Sequence, residues 1–309
     1  MYIDDLYQAI LLNKPDIKVI SLKLYISNIK LLHKRITGDE EVKDLNFLDN
    51  FEGVIDSLDK YKVPTQRNYI SSIIISLQTT DNDILPLYVE YYKELSCKYK
   101  KTIKTQEKSE KQKNNWVSLA ELKKVKNMYK KHTIEIIKLK NPSKKQIDII
   151  QRYLVCVLYI GSKNNPPLRL DFAPMFVRQF DDYDKECKKN ILVLKEKSMF
   201  FHIADYKTVG KYGKKIIPVS LPLERVIKLW LKYNKTGFLL INTENSAMNA
   251  NNLSKYLTKV FEPTGKKISA TMIRHIFLSN VFPADLKKRE ETANKMCHSV
   301  SMSVEYSKK

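Results

Sequence analysis

From Lys100 to Asn115 the chain reads KKTIKTQEKSEKQKNN: lysine-rich, polar and without an apolar stripe. A stretch with nothing to bury cannot run through a core, so it divides the chain into two segments that must each fold around their own apolar residues. Both segments are long enough for that. The boundary falls near 113–116, because Ser118 with Glu121 three residues on is a capping-box pattern that opens a helix from Leu119. The expected organisation is a domain over 1–113, a basic linker over 100–115 at its end, and a second domain over 114–309.

The two segments differ sharply in charge. Residues 1–113 carry 18 Lys/Arg against 17 Asp/Glu, whereas 114–309 carry 37 against 17, so nearly all of the net +21 sits in the second segment. Such an excess gathers polyanions, and nucleic acid is the commonest one. The bland alternative is lysine enrichment from an AT-rich genome, which the many Ile, Asn and Tyr also suggest; nucleic acid is the favoured reading, and the two are compatible. An apolar content of 43% with 29% charged residues fits a folded, soluble chain, and only seven glycines among long apolar-periodic stretches point to helix. No run approaches the roughly 20 apolar residues of a membrane span, and the Asp4-Asp5 start is unlike a signal peptide. The four cysteines form no CxxC pair and the five histidines are scattered, so an intracellular, non-secreted protein with no metal, no cofactor and no membrane partner is expected.

Helical spacing runs through Ile17–Ile36 up to Thr37-Gly38, and further helices fit Asn50–Tyr61, a segment entered at Pro64 and reaching Leu77, and Ile84 to Lys100. The acidic stretch from Asp39 to Asp59 reads as a solvated face rather than a metal site. These elements make a small helical bundle. In the second segment Leu119–Leu139 and the strongly apolar Lys144–Ile160 are helices. A proline-stiffened turn then carries Arg169 between two leucines. Ile191–Leu194, Met199–Ala204 and Lys214–Val219 switch to strand spacing, giving a small antiparallel sheet, before Leu221–Tyr233, Asn251–Phe261 and Ala270–Val281 return to helix. The fold class is therefore mainly α with a small antiparallel β-sheet, in two domains.

Five positions in order carry candidate chemistry: Arg169 in PPLRLDF, Lys207 in YKTVGKYG, Arg274 in TMIRHIFLS, His298 in CHSV, and Tyr306 near the end. Each has a plain alternative. Arg169 reads equally as a partner for Asp171, Arg274 as a buried structural arginine, His298 as a helix cap, and Tyr306 as one of 18 tyrosines. His33, His132 and His202 are read as ordinary histidines. Taken together and in this order, the five resemble the signature of the tyrosine recombinases, the phage-integrase family, and the wording is most similar to integrases of large DNA viruses and virophages. The resemblance spans 116–306, and the helical segment with its basic linker is similar to the family's N-terminal core-binding domain.

The resemblance implies a site-specific recombinase or integrase that clamps double-stranded DNA and cleaves and rejoins it through a 3′-phosphotyrosyl intermediate. Arg169 and Arg274 would hold the non-bridging phosphate oxygens, His298 would add a donor, Lys207 would protonate the leaving 5′-oxygen, and Tyr306 would be the nucleophile. It further implies a homo-tetramer in the synaptic complex, a monomer or dimer when free, and action where viral DNA resides, in a host nucleus or a cytoplasmic virus factory. Two positions depart from the pattern. Thr271 stands where the family usually has a titratable histidine or lysine, three residues before Arg274. Only three residues follow Tyr306, where relatives place a helix that docks on a neighbouring subunit. His275, about 100° round a helix from Arg274, is assigned a structural role. A type IB topoisomerase and a catalytically decayed DNA-binding protein are the alternatives.

Overall fold

The computed structural model describes residues 2–104, 107–162 and 164–281. The chain divides into two compact units, Met1–Lys108 and Ser109–Lys309.

The described part of the first unit is helical: α1 (Tyr2–Asn13), α2 (Val19–Thr37), α3 (Phe51–Leu58), α4 (Val63–Leu77) and α5 (Leu85–Lys104), with a 3-10 turn at Asn46–Leu48. In α2 the residues at helical spacing, Leu22, Ile26, Ile29 and Leu32, are buried, facing Ile70, Ile73 and Leu77 of α4 within one core. Gly38 ends α2 in the left-handed region at φ +77, where its amide donates to the Lys34 carbonyl at 3.0 Å. A buried Asn28–Ser72 hydrogen bond of 2.9 Å ties α2 to α4. The fully buried Tyr88 of α5 donates to the Leu48 carbonyl at 2.7 Å. His33 is buried edge-on against Phe47, a packing role. The carboxylates between Asp39 and Asp59 are exposed.

The second unit opens with α6 (Glu110–Asn115), α7 (Leu119–Ile136) and α8 (Lys144–Ile160). Ser109, Ser118 and Ser143 each form a reciprocal capping box at the head of one of these helices. The lysine-rich linker thus contains a helix of its own. Asn115 at its end accepts a bond from the Lys267 amide at 2.9 Å, which ties α6 to the second unit, where the boundary was expected near 113–116. Next come β1 (Phe176–Gln179), β2 (Ile191–Leu194), β3 (Met199–Ile203), the single turn α9 (Val209–Tyr212) and β4 (Lys215–Pro218). The described residues close with α10 (Leu221–Tyr233), α11 (Ala250–Val260), a 3-10 turn at Glu262–Thr264 and α12 (Ala270–Val281).

α8 is the axis of this unit. It packs against α7, α10, α11 and α12, which is why it buries an unbroken run from Leu154 to Cys156 and then Leu158 to Ile160. The sheet runs in the order β1-β2-β3-β4, and Leu192, Met199, Phe201 and Ile203 pack into the same core. Its last three strands are antiparallel, as short strands with short Lys- and Gly-rich connections lead one to expect. β1 adds a parallel pairing with β2, so the sheet is mixed. On its far side β1 is joined by the 237–239 segment, through Val177 to the Gly237 carbonyl at 2.8 Å and a bridge between Phe176 and Phe238. A polar network links α8 to α11: Tyr256 donates to Asp148 at 2.6 Å, Arg152 pairs with the same carboxylate at 2.8 Å, and Gln151 exchanges bonds with both backbone groups of Ile241. No helix among the described residues is long and apolar enough to cross a membrane.

Candidate active site

The Arg169 segment is built outward from the end of α8. Gly161 stops that helix at φ +67 and ψ −175, a region essentially restricted to glycine. A Cβ there would lie 2.9 Å from Pro167 Cδ and 3.0 Å from the Asn165 carbonyl oxygen, so the close approach needs glycine too. The buried Asn165 side chain then fastens the turn to the end of β4, donating to the Pro218 carbonyl at 2.8 Å and accepting from the Ser220 amide at 2.9 Å. Tyr159, sealed within α8, donates to the Arg169 carbonyl at 2.7 Å. Phe172 wedges between Tyr159 and Phe201, with ring centroids 5.6 and 5.5 Å away. The backbone of Arg169 is held from below while its side chain is exposed.

Arg274 comes from α12. Met272, Ile273, Ile276 and Phe277 are the buried stripe of that helix, and Thr271, His275 and Leu278 are exposed. Arg274 stands half-buried at the border between the two, roughly 60° round the helix from Thr271 and 100° from His275. Although far apart in sequence, Arg169 and Arg274 share one electrostatic neighbourhood. Burial, and then the positive charge of Arg169, push the Arg274 guanidinium down from its usual value, with the Asp171 carboxylate opposing. Asp171 accepts the Arg169 backbone amide at 3.2 Å. Burial raises its carboxyl above the usual range, while that amide and the charges of Arg169 and Arg274 pull the other way. Two guanidiniums beside one half-buried carboxylate leave an excess of fixed donors, a ready place for an anion with several oxygens.

Lys207 lies in the connection between β3 and β4, exposed, two residues before α9. The expected hairpin is present, but its tip contains a helical turn closed by Gly213 at φ +65 and by a Tyr206 hydroxyl bond to the Gly213 carbonyl at 2.6 Å. The root of this connection meets the arginine segment through Asn190. That side chain donates to the Asp171 carbonyl at 3.0 Å and to the Asp205 carbonyl at 2.8 Å. It accepts from the amides of Ala204 and Asp205 at 2.9 and 2.8 Å. Asp171 and Asp205 are each two residues from a candidate side chain, and their carbonyl oxygens lie within two hydrogen-bond lengths of one another.

Arg169, Arg274 and Asp171 are thus brought together, and the Lys207 turn is rooted on the same segment. Thr271 shares the exposed border of α12 with Arg274. His298 and Tyr306 lie outside the described residues. Sequence reasoning missed Tyr159, Asn165 and Asn190, because single polar or aromatic residues at element ends carry no periodic signal. His202 is buried, with its two ring nitrogens 2.7 Å from the Tyr183 hydroxyl and 3.0 Å from the Cys187 carbonyl, a structural role. His132 is exposed on α7. Among the described residues no three His, Cys, Asp or Glu side chains gather as metal ligands would.

No family model matches the chain, and no curated protein matches it. Among solved structures, a crystal structure of XerA recombinase is similar over 90% of this chain and 84% of that chain, at 10% identity and a TM-score of 0.33. A likeness at that score carries no conclusion about fold or function.

Proposed function

We propose that this chain is a DNA strand transferase of the tyrosine-recombinase type, cleaving and rejoining duplex DNA through a 3′-phosphotyrosyl link. The observation that carries the proposal is the convergence of Arg169 and Arg274 about Asp171, with the Lys207 turn rooted on the same segment. A phosphodiester under attack gathers negative charge on its non-bridging oxygens. Two guanidinium forks hold those oxygens from ground state through transition state. His298 adds a third donor, and the Thr271 hydroxyl can donate a hydrogen bond but cannot exchange protons near neutrality. The Tyr306 oxygen attacks phosphorus, favoured as phenolate by the cationic surroundings against a free pKa near ~10. As the P–O5′ bond breaks, the Lys207 ammonium gives its proton to the departing oxygen. Strand exchange on this scheme is carried by a synapse of four copies on two duplexes.

Covalent trapping tests the proposal. The protein is incubated with nicked duplex drawn from the DNA flanking its own gene and run on a denaturing gel beside Tyr306→Phe. A denaturant-resistant adduct that is lost in the Phe variant is expected. No adduct on DNA that the protein demonstrably binds would refute it and leave a non-catalytic clamp. Relaxation of supercoiled plasmid without a specific site would reassign the same chemistry to a topoisomerase. Lys207→Ala is expected to bind duplex normally and to cleave it about 10²–10⁴-fold more slowly.

A further inference from the structure

Asn190 stands one residue before β2 and is 5% exposed. An asparagine side chain offers two N–H donors and two acceptor lone pairs. All four are used here, and the orientation of the amide is fixed by its partners, two carbonyl oxygens on one side and two backbone amides on the other. Its own carbonyl also accepts the Phe176 amide at the start of β1. The residue therefore joins four places: the head of β1, the head of β2, the exit of β3 and the Arg169 segment.

The distribution of the four bonds sets this apart from an ordinary satisfied core amide. Two of them clamp Asp205 in both directions, through its N–H and its C=O. A third holds the neighbouring Ala204 amide, and the fourth holds the Asp171 carbonyl. Beyond Asp205 the Lys207 turn is internally closed, by the Tyr206 bond to Gly213 and by the turn of α9. Asn190 is thus a pivot whose other end is the arginine segment. No other side chain of this size reproduces it. Aspartate keeps the two acceptors but sets carboxylate oxygen against two carbonyl oxygens, and leucine leaves four polar groups unpaired.

We propose that Asn190 is a positioning residue that sets the place of the Lys207 ammonium relative to the phosphate held by Arg169, by bonding both segments with one amide. This rests on the strand-transferase function proposed above. The step concerned is proton delivery: the Lys207 ammonium becomes a neutral amine as the departing O5′ becomes a hydroxyl. A substrate with sulfur in place of that bridging 5′-oxygen leaves as a thiolate and needs no proton.

The test compares wild type, Lys207→Ala and Asn190→Asp on the oxygen and sulfur substrates, following formation of the covalent adduct. On the oxygen substrate Asn190→Asp is expected to be slower than wild type by about 10²-fold. On the sulfur substrate it is expected to recover most of that loss, in parallel with Lys207→Ala. Equal slowing on both substrates would overturn the proposal, because a residue that merely supports the fold has no reason to distinguish the leaving groups. Lack of a Tyr306-dependent adduct in the wild type would instead refute strand transfer itself. Hydrogen exchange then decides on the coupling alone. Asn190→Ala is expected to speed exchange about tenfold or more at the amides of both 204–205 and 169–173, the amount that losing one net hydrogen bond allows, while the interior of β2 stays protected. Acceleration in only one of the two segments, or throughout the unit, overturns the pivot.

Discussion

Asp171 sits in the field of two guanidiniums, yet burial wins and its carboxyl is raised. An acid whose folded pKa lies above its unfolded one binds more protons when folded. Its contribution to stability therefore falls as pH rises past the ordinary carboxylate value of ~4, and returns on acidification. Asp171→Asn is expected to remove this term, so its stability relative to wild type should improve as pH rises past the ordinary carboxylate value. Urea unfolding at a series of pH values checks it, and a difference that stays flat with pH would contradict it. Asp39, Glu40 and Glu121 are shifted the opposite way by backbone and side-chain partners, which is why the comparison with the variant and not the raw curve is diagnostic. Arg169 and Arg274 are legible as candidates because an arginine between two leucines, or within an apolar helix, stands out. The pairing of Arg169 with Asp171 is legible as well, but the approach of Arg274 to that carboxylate is not, since it exists only once the turn after α8 and the helix α12 meet.

Helix ends are legible where short-range chemistry sets them. Ser118-x-x-Glu121 and Thr37-Gly38 mark true boundaries, and Ser109-x-x-Gln112 forms the same box inside a stretch that reads as linker. β1 escapes sequence reasoning for a different reason. Four residues with two of them exposed give no alternation to detect, and the pairing with β2 and the 237–239 segment is decided by distant chain. Two variants test the element-level account. Gly161→Ala forces a side chain into a glycine-only conformation against Pro167 and Asn165, and is expected to cost about 1–3 kcal/mol. Because Gly161 launches the Arg169 segment, the proposed cleavage should suffer alongside stability. Tyr256→Phe removes the hydroxyl that bonds Asp148 and touches Gln151, and is expected to cost about 1–3 kcal/mol by leaving a partly buried carboxylate oxygen unpaired. Chemical unfolding followed by tryptophan fluorescence reads both. A loss below about 0.5 kcal/mol in either would contradict the packing described.

Two apolar cores among the described residues, one in each unit, and an uneven charge along the chain mark the largest scale. Residues 1–108 carry 16 basic and 16 acidic side chains, and all of the net +21 belongs to 109–309. Duplex binding is expected to weaken steeply with salt, with a log–log slope near −0.9 for each phosphate contacted. A flat salt response in a binding titration would contradict a phosphate-tracking surface. Both tryptophans, Trp116 and Trp230, fall in the second unit. Denaturant titration is therefore expected to give a fluorescence transition that differs from the circular dichroism transition, which reports the helices of both units. Coincident curves would show that the two cores melt as one.

The sheet has a further consequence for crowded solutions. β1 has its outer edge occupied by the 237–239 segment, which leaves β4 as the open edge among the described strands. That edge is four residues long, begins at Lys215 and ends at Pro218, which has no amide to donate. A strand from another chain laid along it would find a short ladder, a charge and a missing donor, the features by which exposed edges resist adding strands. At high concentration that edge thus offers an incoming strand little to pair with, which works against fibril-like stacking along it.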